Sequence, residues 1–298
     1  MISVCIPVFN FNITALVEEL SKQCEKLNVP TEIIVIDDGS EIFKLENQKA
    51  TKNVQYIELP KNIGRSKIRN LFLEYAKYDY LLFMDCDSLV VNNYFLTDYL
   101  PVLKNKPSVV CGGRIYPEKP SRNKMLSWKH GVYKECLPSE VRKRNPNKSF
   151  MTNNFVVAKS CLSNIKFDER ITKYGHEDTL FGFELSKNNI EITHIDNPVL
   201  NGDIETNEVF LQKTKYGVIN LVHILNFLEY DKDFIKNVSL LDYYYKTKTF
   251  RGVQYITYKT FKQPIYYFLK KGFVNLKLFD FYKLGFFISF KTQERKKS

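Results

Sequence analysis

Residues 81–88 read Leu-Leu-Phe-Met-Asp-Cys-Asp-Ser, an apolar run that stops at two aspartates one residue apart, Asp85 and Asp87. Carboxylates in that pattern suit a hard divalent ion, Mg²⁺ or Mn²⁺, which they hold while leaving coordination positions for phosphate oxygens. Two other apolar runs end in polar groups: Pro7-Val8-Phe9-Asn10 and Asp37-Asp38-Gly39-Ser40. The second is also a good turn sequence, since Asp, Gly and Ser all favour turns. A fourth group, Gly175-His176-Glu177-Asp178, places two acids just before an expected helix, where acids also serve as caps for free N–H groups. Between them, Lys61-Asn62-Ile63-Gly64-Arg65-Ser66-Lys67-Ile68-Arg69-Asn70 sets Arg65 and Arg69 four apart on one helix face, cations suited to a diphosphate or to a solvated basic surface.

The elements that must position these residues alternate in type. Strand signals at Ile2–Val8, Glu32–Ile36, 54–58 and Tyr80–Met84 are interleaved with helix signals at Thr14–Leu27 and Ser66–Tyr75. Alternation of this kind predicts an α/β fold with a doubly wound, mostly parallel sheet, whose ligands bind beyond the carboxyl ends of the strands. The three strand ends that carry acids or amides would then open on one edge. Leu16, Leu20, Cys24 and Leu27 mark the core face of the first helix. Val109–Gly113 and Phe155–Ala158 read as further strands and Thr179–Asn188 as a helix. Pro117–Lys148, rich in Lys, Arg, Pro and Asn, reads as a long excursion of loops and a short helix, of the kind that carries function. From about Asn207 the chain looks helical.

Composition narrows the class. The 298 residues carry a formal net charge of +11, and all of it belongs to the segment from Tyr243 on, where 13 basic residues meet two acids and 17 aromatics. Lys and Arg interleaved with Phe and Tyr, with Phe261, Ile265, Phe268 and Leu269 on one face and Leu276, Phe279, Phe286 and Phe290 on another, suggest amphipathic helices lying on an anionic membrane surface. Nucleic acid is the competing partner for such a pattern and is not expected here, given the many Leu, Ile and Phe. Six cysteines without a C-x-x-C pair read as reduced thiols. With no leader-like N-terminus and no apolar run near the ~20 residues that span a bilayer, the expectation is a cytoplasmic protein, peripheral on the inner face of the cell membrane. G-x-G-x-x-G is absent after the first strand and G-x-x-x-x-G-K-[ST] throughout, which disfavours dinucleotide oxidoreductases and P-loop NTPases. A nucleotidyltransferase also uses metal-binding acids beside such a sheet, but the first strand lacks the triphosphate loop it would need.

The five groups quoted above, in their order and spacing over about 205 residues, resemble family 2 of the glycosyltransferases. The resemblance implies a GT-A fold with a C-terminal basic and aromatic helical appendage, a nucleotide-diphosphate-sugar donor, a divalent metal, and inversion at the anomeric carbon. It divides the chain into a catalytic domain at 1–205 (donor half about 1–115, acceptor half about 116–205), a helical connection at 206–242 and the tail at 243–298. By the same likeness Pro7 and Phe9 line the base pocket, and Asp37 and Asp38 accept hydrogen bonds from base or ribose. Asn62, Gly64, Arg65 and Arg69 sit at the diphosphate, and Asp85, Cys86 and Asp87 hold ribose and metal. Asp178 is the general base, with Glu177 positioning the acceptor or sharing that role. Asn153, Asn154, Arg114 and Trp128 are weaker candidates for the acceptor site. Similar members usually carry a histidine after the strand that follows the catalytic helix. Here that position holds Asn201, a poorer ligand for Mn²⁺ than imidazole, with His194 nearby. The resemblance thus implies transfer of a sugar to a glycan or lipid-linked hydroxyl acceptor, from UDP or dTDP slightly ahead of GDP, and leaves open a catalytically weak scaffold of the same ancestry.

Overall fold

The computed structural model describes residues 1–52 and 54–294; the last four residues of the basic tail lie outside the described residues. Ten strands form: β1 (Ile2–Val8), β2 (Thr31–Asp37), β3 (Gln55–Glu58), β4 (Tyr80–Met84), β5 (Ser88–Leu89), β6 (Val109–Cys111), β7 (Arg114–Ile115), β8 (Asn154–Ala158), β9 (Thr193–His194) and β10 (Val199–Asn201). Seven of them make one sheet in the order β3-β2-β1-β4-β8-β6-β9. All its strands run the same way except β8, which is antiparallel to both neighbours. The expected α/β, mostly parallel architecture is therefore present. Not expected was a second, small sheet, β5-β10-β7, because two- and three-residue strands leave no periodic signal.

Both faces of the large sheet are covered, which is why its central strands are apolar at every position rather than at alternate ones. Val4, Ile6, Ile33, Val35, Leu82 and Met84 face one way, against Leu16, Val17 and Leu20 of helix α1 (Thr14–Lys26). Cys5, Ile34, Ile36, Leu81 and Phe83 face the other. There they meet Ile68 and Phe72 of α3 (Arg65–Tyr75) and Phe181 and Leu185 of α4 (Glu177–Lys187). A further helix, α2 (Lys44–Ala50), had no sequence signal because its buried residue is the polar Asn47 while its leucine, Leu45, is 69% exposed. Within this core Phe83 stacks on Phe155 at 5.0 Å and meets the edge of Phe72 at 5.5 Å.

The described chain forms two compact units. The sheet unit comprises Met1–Pro117, Glu135–Thr172 and Glu177–Asp203; the helical unit comprises Glu118–Lys134, Lys173–His176 and the chain from Ile204 onward. The basic excursion is thus divided between the two, and it contains a helix at Met125–His130 in the helical unit. That unit is built on α5 (Asn207–Phe227), α6 (Arg251–Lys270) and α7 (Leu276–Glu294). Leu126, Leu211, Tyr258, Ile265, Leu269, Phe279 and Tyr282 form its core. Asn207, 1% exposed, accepts from the Leu126 N–H at 2.7 Å and donates to the Arg122 and Lys270 carbonyls, so one amide ties three chain segments together. The face expected from Phe261, Ile265, Phe268 and Leu269 is split: Ile265 and Leu269 are buried, whereas Phe261 and Phe268 are exposed. Among the described residues no helix is long and apolar enough to cross a membrane.

Phe83→Ala removes the ring at the centre of the aromatic stack, and the expected loss is about 3–5 kcal/mol, as for buried Phe generally. Urea denaturation followed by far-UV circular dichroism checks this; an unchanged midpoint would contradict the packing described.

Candidate active site

Because β1, β2 and β4 are parallel neighbours, their carboxyl ends lie together, bringing Phe9-Asn10, Asp37-Asp38 and Asp85-Cys86-Asp87 to one edge. The first turn is tightly bonded. Asp37, fully buried, accepts from the Ser40 N–H and the Tyr56 hydroxyl, both at 2.7 Å. Asp38 accepts from the Ile63 and Gly64 N–H groups at 2.7 and 3.1 Å, and burial raises its pKa in spite of those bonds. Each carboxylate therefore has a structural role: Asp37 ties the end of β2 to its own turn and to β3, and Asp38 ties it to the loop that opens α3. Asn10 completes the turn: its N–H donates to Ser40 Oγ, and its Oδ1 accepts from Glu41. Phe9 is 47% exposed, an aromatic face free at the sheet edge, with Pro7 half-buried behind it. Asn62 is exposed, and Gly64 opens α3 with φ 88°, in the region that glycine favours.

Helix α3 then aims its two arginines. Arg69, 2% exposed, donates to Asp85 Oδ1 and Thr152 Oγ1, both at 3.1 Å, and lies over the Phe167 ring. Arg114 reaches Asp85 Oδ2 at 3.6 Å and Glu135 at 3.4 Å, and the Tyr116 hydroxyl donates to the same Glu135 oxygen at 2.5 Å. Burial opposes ionisation of Asp85, but Arg69, Arg65 and Arg114 outweigh it and hold its carboxyl below the usual range. Asp87 is treated in the opposite way. Burial, and then the charge on Asp85, push it up to about 6 against the pull of Arg114 and Arg65, and its Oδ1 is buried without a partner. Cys86 between them packs toward the core, with its thiol pushed up to about 12 by burial, so it sits there as a neutral, apolar group.

Residue Asn201 lies beside this pair. It is paired with Ser88 in the small sheet, and the next N–H, of Gly202, donates to the Asp87 carbonyl at 2.9 Å. A Cβ on Gly202 would come 2.8 Å from that carbonyl, so glycine is needed for the approach. Asn201 Oδ1, like Asp87 Oδ1, is buried without a hydrogen-bond partner. Two unsatisfied hard oxygens, one in the turn just before β5 and one in its neighbour β10, fit a divalent ion whose remaining positions are filled by substrate oxygens. Asp85, with both oxygens engaged by arginines, is the lesser ligand. His194 is no substitute. It lies in β9, four strands from β1 in the sheet order, with Nδ1 accepting from Arg142 at 2.7 Å and Nε2 at 2.9 Å from the Pro146 carbonyl. Burial keeps the ring neutral, so both nitrogens are occupied.

The remaining acids open α4. The structure puts Glu177 and Asp178 inside the first turn of that helix rather than before it, because the helix begins two residues earlier than its apolar pattern. Glu177, 5% exposed, accepts from Arg65 Nη1 at 3.3 Å; burial opposes its charge, but Arg65 and Arg69 hold it ionised. Asp178 is pushed up to about 6 by burial and by Glu177. Its Oδ1 accepts from the Thr179 N–H and hydroxyl at 2.6 and 3.2 Å, while its Oδ2 makes no hydrogen bond within the protein. A half-ionised carboxylate with one free oxygen can take up a proton near neutral pH. Among the weaker candidates, Asn154 is structural: it bonds the Tyr99 hydroxyl and the Gly113 and Asn197 carbonyls. Asn153 Nδ2 is buried without a partner, and Trp128 is half-buried in the helical unit. Thr152, Tyr116 and Glu135 escaped the sequence reading, since nothing local marks a residue whose importance is an arginine from another element.

Replacing Arg69 with Met leaves Asp85 with Arg114 as its ion-pair partner and the charge of Arg65 beyond it. Loss of a hydrogen bond to a charged group predicts about 1.5–3 kcal/mol of destabilisation at pH 7. Asp85 has a depressed folded pKa, so its contribution is present above its unfolded value and disappears as pH falls through the folded one. The gap between variant and wild type in urea midpoint should therefore narrow from pH 7 toward pH 3; a constant gap would show that the arginine acts through packing alone.

The model of glycosyl transferase family 2 matches residues 3–167, more than half of the chain. Chondroitin synthase of Pasteurella multocida is 24% identical over 223 residues, covering 62% of this chain and 23% of its own. The chain spans about a fifth to a third of the length of the curated relatives it matches. Among solved structures, S. aureus TarS 1-349 superposes with a TM-score of 0.51 at 19% identity, over 98% of this chain and 91% of that one. Glucosyl-3-phosphoglycerate synthase from Mycobacterium tuberculosis, in complex with Mn²⁺, UDP and glucosyl-3-phosphoglycerate, does so with a TM-score of 0.51 at 15% identity, over 76% and 79%. These structures share the fold, the GT-A arrangement of a mostly parallel sheet with its ligand edge at the strand ends. With the family model covering β1 through β8 and every carboxylate of the donor edge inside it, the chain belongs to glycosyl transferase family 2.

Proposed function

We propose that the protein is an inverting glycosyltransferase that moves a sugar from a nucleotide-diphosphate donor to a hydroxyl of a growing glycan or lipid-linked acceptor. The observation that carries this reading is the free Oδ2 of Asp178, on a carboxylate whose pKa is about 6, in the same unit as the arginine-braced Asp85 and the unsatisfied Asp87. The acceptor oxygen attacks the anomeric carbon as its proton passes to Asp178 Oδ2, and the bond from that carbon to the diphosphate oxygen breaks on the opposite face. Arg65, whose side chain is 48% exposed, is placed to meet the charge that develops on the leaving diphosphate, and Glu177 holds its guanidinium. Asp87 and Asn201 would hold the metal, Mn²⁺ or Mg²⁺, which supplies further charge neutralisation there when bound. The exposed ring of Phe9 offers a stacking face for the base. The relative named a chondroitin synthase favours a polysaccharide acceptor.

The helical unit supports placement at an anionic membrane surface on the cytoplasmic side. Val253, Ile256, Phe261, Tyr267 and Phe268 are each at least 47% exposed and fall within one arc of α6, and Phe250 just before it is 63% exposed. Lys248 and Lys271, with no acidic partner, flank the same helix, each contributing on the order of 1 kcal/mol near an anionic leaflet. A double change, Ile256→Glu with Phe261→Glu, should abolish co-sedimentation with vesicles containing phosphatidylglycerol and leave the fold intact, since both side chains are exposed. Retained co-sedimentation would remove this surface from the reading.

Donor binding and turnover separate the roles. Asp87→Asn should abolish Mn²⁺-dependent binding of UDP in calorimetry. Asp178→Asn should bind UDP as wild type does and lose roughly 10²–10⁴-fold in kcat, the usual size of a general-base contribution. A base must be ionised to act, so wild-type kcat should fall as pH drops below about 6. An Asp178→Asn enzyme with full turnover would overturn the assignment.

A further inference from the structure

We infer that the helical unit carries a second carbohydrate site, for an acidic sugar unit of the acceptor glycan. A pocket of about 240 Å³ opens between α5, α6 and α7, lined by Lys215, Tyr258, Lys262, Gln263, Tyr266 and Tyr282 over a wall formed by Phe286. It contains no carboxylate. Neither lysine has an acidic partner, and Lys215 Nζ lies 5.2 Å from the centre of the Tyr266 ring. None of the three tyrosine hydroxyls makes a hydrogen bond within the protein, although Tyr258 and Tyr282 are 5% and 3% exposed. Their rings are close, 5.9 Å for Tyr258 and Tyr282 and 6.4 Å for Tyr266 and Tyr282. Burial pushes the Tyr258 phenol up to about 12 and raises that of Tyr282, so both remain donors at neutral pH. The pocket is built deliberately into the helix packing: a Cβ on Gly285 would come 2.2 Å from the Tyr258 ring, so only glycine lets that ring lie flat on α7.

The rings are buried while their hydroxyls open on the pocket without a protein partner, which leaves hydrogen-bonding groups available to water or to a ligand. The chemistry selects the ligand. Aromatic faces suit the C–H faces of a sugar ring, phenols and the Gln263 amide suit its hydroxyls, and two unpaired ammonium groups suit a carboxylate or phosphate on it. Pockets for drug-sized molecules run from about 300 Å³ upward, so this one is matched to a single sugar unit of a chain that continues into solvent. Lys262 lies across α6 from the exposed apolar arc, so the two surfaces are separate. The choice of a glycan as ligand rests on the glycosyl-transfer reading, whereas binding itself needs neither donor nor metal.

The test is calorimetry of the full chain, without nucleotide or metal, against three hexamers: oligogalacturonate, glycerol phosphate and the neutral maltohexaose. Binding of oligogalacturonate, at least tenfold weaker in Lys262→Glu and within twofold of wild type in Lys259→Glu, supports the site, and binding of the glycerol phosphate hexamer alone would overturn it, since that chain has the anion without a sugar ring. Lys259 is an exposed lysine of the same helix outside the pocket, so the pair of variants carries the same charge change. Equal weakening in both would mean diffuse attraction to a basic protein and overturn the proposal, as would equal binding of maltohexaose or no binding of either acidic hexamer. Both variants alter exposed side chains without hydrogen-bond or ion-pair partners and should fold. UDP titration with Mn²⁺ on the same preparations reports the donor site separately, so failure at one site is not mistaken for failure at the other.

Discussion

The site depends on one buried carboxylate held between two guanidiniums. Asp85 ends β4 with Arg69 on one oxygen and Arg114 on the other. A carboxylate at the mouth of a close-packed sheet is expensive to ionise unless cations face it, and removing either partner leaves a charge poorly solvated. The arginines come from α3 and β7, so the ion pairs also fasten a helix and the small sheet to the end of the central strand. Thr152, Glu135 and Tyr116 add partners for the terminal guanidinium nitrogens, while the Nε of each arginine stays buried without one.

The same principle operates twice. In each acidic pair one member is compensated and stays ionised, Asp85 by Arg69 and Arg114, Glu177 by Arg65. The other member feels the neighbouring charge and is pushed up to about 6, Asp87 in the first pair and Asp178 in the second. Like charges in a partly dry site cannot both ionise cheaply, so the protein separates their affinities for a proton. The compensated acid becomes a fixed structural anion. Its partner keeps an oxygen free of protein donors, available to a metal in one pair and to a proton in the other.

The helical unit solves a different problem. Its aromatic residues exceed what its own core uses, and they divide by direction around α6. Ile265 and Leu269 turn inward, Phe261 and Phe268 outward, and Tyr258 and Tyr266 toward a pocket whose lysines have no acidic neighbours. A net charge concentrated in this part of the chain therefore acts locally, because few carboxylates lie near enough to cancel it.

Much was legible in the sequence: the strand pattern of β1, β2 and β4, the parallel sheet, the acids at its strand ends and the two arginines of α3. Those features are local. An apolar run buried on both faces and a polar payload at its end are visible in neighbouring residues, and four-residue spacing on a helix needs no partner to be recognised. The tertiary structure decided which acid is paired and which is free. Asp37 and Asp38, read as ligand acceptors, prove to have N–H and hydroxyl donors from their own turn and from β3 and the loop before α3. His194, available by sequence, is consumed by Arg142 and Pro146, while Asn201 brings an unsatisfied oxygen beside Asp87 through a sheet too short to leave any pattern. The split of the tail into buried and exposed aromatics was equally hidden, since helix periodicity defines an arc but not which side of that arc meets a neighbour. Residue type and spacing determine what chemistry a side chain can do; which of those capacities stays free depends on partners that only folding brings within hydrogen-bond reach.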